Sequence, residues 1–215
     1  MVTATLAPPK PRLRGWLHLG AFPFALVSGL WLTANGTTHA DRVACAVFAL
    51  TACMLFGTSA VYHRGSWTPR TAGILRRLDH SNIALIIAGT YTPLAVAVLP
   101  SSQSTVLLCV VWVTALTIVL FRVAWLSAPR WLYTAMYLGL GWAALFWLPE
   151  LWHLAGALTI LLIALGGLLY TAGAVVYAAR RPRLAPRTFG YHELFHACTV
   201  AAFTCHLIAV ARVAT

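Results

Sequence analysis

Three histidines, an aspartate and a serine are spaced so that they can do chemistry together. His63 closes an apolar run in TSAVYH, and Ser59 lies four residues earlier, one helical turn deeper on the same face. Asp79 opens another apolar run in LDHSNI. His192 and His196 open the last one in HELFH; four residues is one helical turn, so both imidazoles point the same way. Neutral imidazole suits zinc, and three protein ligands leave a fourth position for water, as in catalytic sites. Water bound to such a zinc has a pKa of about 7. Asp79 is placed to accept its proton or orient it, or to be the fourth ligand itself. The Ser59 hydroxyl can hydrogen-bond that water or a substrate carbonyl. An H-x-x-x-H pair alone is a weak signal among eight histidines. What gives it weight is whether the other residues reach the same place.

The elements that must position them are membrane helices. Of 215 residues, 60% are hydrophobic and 9% charged, against about 25% charged in soluble domains. Apolar runs at 16–34, 42–63, 80–99, 104–126, 131–149, 152–178 and 190–211 each suit a helix crossing about 30 Å of hydrocarbon. Runs such as LTILLIALGGLLY are apolar on every side, which excludes the alternation of a β-barrel. The fold expected is all-α, with seven transmembrane helices forming one domain over residues 1–215 and a cytoplasmic tail of about 1–15. The first run is longer than a signal-peptide core and lacks a clear cleavage site, so it reads as an uncleaved span.

The net charge of +11 sets orientation. Thirteen of the 15 Lys and Arg residues fall before span 1 and at the 2–3, 4–5 and 6–7 junctions; Arg42 and Arg212 fall on the other side. Basic excess marks the cytoplasm, which puts the N-terminus inside and the C-terminus outside. The clusters are short and lack aromatic interleaving, so they indicate topology and attraction to anionic lipid headgroups rather than nucleic acid. In this topology His63, Asp79, His192 and His196 lie at one depth near the inner boundary, on three different helices. Ionisable groups inside a membrane are expensive and mark function.

The remaining polar residues have blander readings. His206 is about 15 Å beyond His196 along the helix and reads as a core histidine bonded to a neighbouring helix. His80 reads as interfacial or supporting; His18, His39 and His153 read as span-end residues. Glu193 faces away from the two histidines beside it, towards headgroups or a supporting role. Trp16, Trp67, Trp131 and Trp152 form an aromatic belt. Thr68-Pro69 is a helix-start signal. It introduces a short amphipathic helix in the interface, two turns of helix, or plain loop before span 3. The five dispersed cysteines imply neither a disulfide framework nor a zinc knuckle.

Taken together, SAVYH, LDHSNIALIIAGTYTP and FGYHELFH followed by His206 resemble the bacterial hemolysin III family, related to the progestin and adipoQ receptors (PAQR) and more distantly to alkaline ceramidases. The resemblance covers essentially the whole chain. It implies seven spans in a multi-pass protein of the bacterial inner membrane. It also implies zinc near the cytoplasmic face on His63, His192 and His196, with Asp79 reaching it through water and Ser59 matching the family's span-2 serine. Relatives are linked to hydrolysis of lipid amides such as ceramide, and the hemolysin name to cytolysis. The chain lacks the long N-terminal domain of the receptors, so receptor signalling is not implied.

The expected function is zinc-dependent hydrolysis of a membrane lipid amide. The alternative is a non-enzymatic regulator or sensor of membrane state with a structural zinc. Transport needs a line of ionisable groups across the bilayer, and His206 alone lies beyond the inner cluster.

Overall fold

The structure, a computed structural model, describes residues 11–182, 184–185 and 187–215. Lys10 and Arg183 of the basic clusters, and residues 1–10 of the tail, lie outside the described residues. The helices are α1 (Trp16–Asn35), α2 (His39–Arg64), α3 (Pro69–Val98), α4 (Ser101–Ala124), α5 (Arg130–Gly141), α6 (Leu148–Ala155), α7 (Ala157–Ala179) and α8 (Tyr191–Ala214). A 3-10 turn at Ala143–Trp147 joins α5 to α6 into a fifth span, Arg130–Ala155. Among the described residues, seven helical stretches are long and apolar enough to cross a membrane. The chain is a multi-pass membrane protein, all-α as its sequence predicts.

Two boundaries differ from expectation. No separate interfacial helix precedes span 3: α3 runs unbroken for 30 residues from Pro69. Thr68 does cap it, its hydroxyl accepting from the Thr71 amide at 3.3 Å. The basic residues Arg76 and Arg77 mark where the apolar stretch begins, but a charge does not interrupt a helical hydrogen-bond ladder. Asp79 therefore sits in the third turn of α3 rather than at its start. The sixth span begins at Ala157 rather than at 152, because Gly156 takes a positive φ of 78° and separates it from α6.

Helix α3 runs between two apolar clusters. One packs α1, α2 and α8 around Phe48, Phe56 and Phe203; the other packs α4, α5 and α7 around Val111, Tyr137 and Ile160. Gly89 lets α3 approach α2 closely, since a Cβ there would overlap the Thr51 side chain. Asn82 fixes the same pair by donating to the Met54 carbonyl at 2.8 Å. On the other face, the break after Gly141 frees backbone groups that lipid cannot satisfy. The Tyr91 hydroxyl satisfies two of them, donating to the Gly141 carbonyl at 2.7 Å and accepting from the Ala144 amide at 2.9 Å.

Candidate metal centre

The end of α2, the third turn of α3 and the start of α8 meet at one end of the bundle. Candidate ligand nitrogens of His63, His192 and His196 lie within 4.8 Å of one another, a group able to hold a metal ion. The Nε2 atoms of His63 and His192 are 3.2 Å apart. Two nitrogens on one tetrahedral zinc stand ~3.3 Å apart, given bonds of about 2.0–2.1 Å. The spacing and the all-imidazole donor set therefore fit zinc without rearrangement of that pair. Asp79 Oδ2 is 3.6 Å from His63 Nε2, and Asp79 stands outside the mutually close set. Ser59 is buried and lines the same cavity as Asp79. The structure thus brings together all five residues singled out from the sequence.

Two local devices hold the ligands. Gly15 adopts φ 81° and starts α1 against the end of α2, where a Cβ would press on His63 and Arg64 at 3.0 Å each. Arg64 in turn lies over the Trp16 ring at 3.7 Å. At α8, Glu193 takes the supporting one of its two expected roles. It is 1% exposed, accepts from the Gly190 amide at 2.8 Å and pairs with Arg14. Arg12 and Leu13 extend this strap, their amides donating to the Arg187 and Thr188 carbonyls at 3.0 and 3.2 Å. The chain ahead of the first span is thereby fastened to the last loop, over the end of the bundle that holds the histidines.

Two further histidines stand beside this cluster. His80 takes the supporting one of its two expected roles: it is buried, its Nδ1 accepts from Arg122 at 2.6 Å, and its carbonyl accepts from Tyr137 at 2.8 Å. Arg122 is fully buried, and among the described residues no carboxylate pairs with it; its guanidinium also covers the Tyr133 ring at 4.2 Å. This network anchors the turn that carries Asp79. His18 does stand at the end of its span, in the first turn of α1, and its side chain is buried. It stacks on His196, with ring centroids 3.7 Å apart and planes 10° from parallel. Its sequence context, at the start of span 1, did not point to this contact. His206 fits its expected role, bonding the Ile163 carbonyl at 3.2 Å.

The cluster opens into a cavity of about 450 Å³. Ser59, Asp79, His192 and His196 line one end; Leu148 and Trp152 of the broken fifth span line another part. Along α3 the lining runs from Asp79 to Ala95, ~24 Å at 1.5 Å per residue. Most of that lining is apolar.

Residues 6–207 match the family described as Haemolysin-III related. The chain is similar to the Hemolysin-3 homolog of Bacillus subtilis (strain 168), 31% identical over 153 residues, 71% of each chain. It is also similar to Hemolysin-3 of Bacillus cereus, 29% identical over 158 residues, which cover 73% of this chain and 71% of that one.

Proposed function

This chain belongs to the haemolysin-III related family, and we propose that it is a zinc-dependent hydrolase of membrane lipid amides, with ceramide-like lipids as its substrate class. The observation that carries the reading is the joining of a three-histidine cluster and a carboxylate to a long apolar cavity. Such a cavity fits a lipid chain, and the polar end fits a reacting headgroup linkage.

His63, His192 and His196 would hold a zinc ion, which when bound would supply a Lewis acid for the amide carbonyl and lower the pKa of the attacking water. Asp79 takes a proton from that water at its carboxylate as the new C–O bond forms. It returns the proton to the amine nitrogen as the C–N bond breaks, which balances the hydrolysis. Ser59 holds the Asp79 carboxylate or the substrate carbonyl by a hydrogen bond. The apolar wall excludes bulk water and aligns the acyl chain. The test is fatty-acid release from a panel of lipid amides by detergent-purified protein. Release is expected from the zinc-loaded form, lost on chelation and restored by zinc. A loaded protein that releases nothing from any amide would instead support a membrane-state regulator with a structural zinc.

The basic split supports a reading in which the cluster lies at the cytoplasmic face of the cell membrane. Reporter fusions after residues 66, 128 and 184 are expected to read cytoplasmic, and a fusion at the C-terminus external. A cytoplasmic C-terminus would reverse the orientation.

A further inference from the structure

A second cavity, of about 330 Å³, lies between the first and last helices at the end of the bundle away from the histidines. The buried Leu32 of α1 and Leu207 of α8 line it, together with the exposed Trp31 and Ile208. Its charged member is Arg212. Arg212 stands 20 residues past His192 on α8, ~30 Å at 1.5 Å per residue, which is about the thickness of the hydrocarbon layer. With His192 near one boundary of the membrane, Arg212 meets the headgroups at the other.

The guanidinium is exposed, and it is not used up by the fold. Its Nε donates to the Thr159 hydroxyl at 3.4 Å. Among the described residues its two terminal nitrogens have no hydrogen-bond partner, and no carboxylate lies within ion-pair distance. Asp41, an acid at the same end, is buried and already accepts from the Thr37 and Thr38 hydroxyls at 2.7 Å each. An unpaired cation at headgroup depth, continuous with an apolar groove that runs towards the membrane interior, is complementary to a phospholipid. The planar guanidinium suits the two free oxygens of a phosphodiester, and Leu32, Leu207 and Ile208 suit the upper part of an acyl chain. A zwitterionic lipid brings its own cation close to the phosphate and gains less from Arg212 than a lipid whose headgroup carries the phosphate charge alone.

We propose that the groove between α1 and α8 is a binding site for one anionic phospholipid, with its phosphate on Arg212. This site is separate from the metal cavity and does not rest on the hydrolase reading. A lipid seated there joins the first and last spans at this end, as the strap from Arg12 to Arg14 joins their surroundings at the other.

Photo-crosslinking in phosphatidylcholine vesicles tests the proposal. Two probes, phosphatidylglycerol and phosphatidylcholine, carry the same diazirine-bearing acyl chain and are added as minor components. Mass spectrometry then maps the labelled residues, which separates the groove from the basic clusters at the other end. In the wild type, labelling at Trp31, Leu32, Leu207 and Ile208 should be about fivefold higher from phosphatidylglycerol, the gain expected for one basic side chain at an anionic headgroup. Arg212→Gln should label these residues equally from both probes and leave labelling elsewhere unchanged. Gln can still donate to Thr159, so the variant's melting temperature in detergent should match wild type. Arg42→Gln is the control: Arg42 lies at the same end, with its Nε donating to the Gly36 carbonyl at 2.9 Å, and the preference should survive its loss. Equal labelling by the two probes in the wild type would overturn the proposal, as would a preference that persists in Arg212→Gln. A preference lost equally in Arg42→Gln would also overturn it, because that result marks a general surface potential rather than a site.

Discussion

Replacing any one of His63, His192 and His196 by alanine is expected to lower metal affinity at least about 100-fold, more than loss of a supporting residue does. The candidate ligand nitrogens lie within 4.8 Å of one another, so each can complete a tetrahedral set that the other two only begin. His192 and His196 share one face of α8, and His63 comes from α2, which makes the triad a clasp between two helices. Two remaining imidazoles hold zinc weakly and expose it to exchange. His206→Ala is the control, since His206 is bonded to Ile163 about 15 Å farther along α8, and it should keep full occupancy. Metal analysis of purified protein against a competing chelator measures both. If all three single variants retain full metal, the ligand assignment is wrong.

Asp79→Asn should cut amide turnover by about 10²–10⁴-fold, the usual cost of removing a general base. The carboxamide keeps the shape of the side chain and most of its hydrogen bonding, so folding and zinc content should survive. Metal content decides between the two roles open to this aspartate. A carboxylate acting on water leaves occupancy intact when it is replaced, while a direct ligand loses zinc and activity together. Its position outside the close set of histidines favours the first. Ser59→Ala should cost less, about tenfold, because it removes one hydrogen bond and no proton carrier. Turnover unchanged in Asp79→Asn would keep the enzyme and refute the role given to this residue.

The ligand cluster was legible because its signals are local. Four-residue spacing in TSAVYH and HELFH fixes one face of each helix, and the apolar runs fix which ends lie together. What escaped notice depends on contacts that spacing does not encode. His18 resembles a residue at the mouth of a span until α1 is packed, through Gly15, against His63. Glu193 faces away from the histidines beside it, but its partner Arg14 is 179 residues distant. His80 lies round the helix from Asp79, and its buried partner Arg122 comes from α4. Hydropathy located the start of span 3 at the membrane boundary, whereas the helix starts at its cap, three turns earlier. The break in span 5 depends on Tyr91, a residue of a different helix.

The fastening of the first span to the last bears on how the protein is made. His63 and His192 are 129 residues apart in the chain. Synthesis at about 5–20 residues per second separates their appearance by ~6–26 s. Through that interval the earlier helices already carry Asp79 and His18 in the bilayer, without the last helix to close around them. A nascent chain that stalls before its final span has neither the clasp nor the strap, and it leaves ionisable side chains facing lipid. A metal ion held by all three histidines would therefore require the final span to be in place.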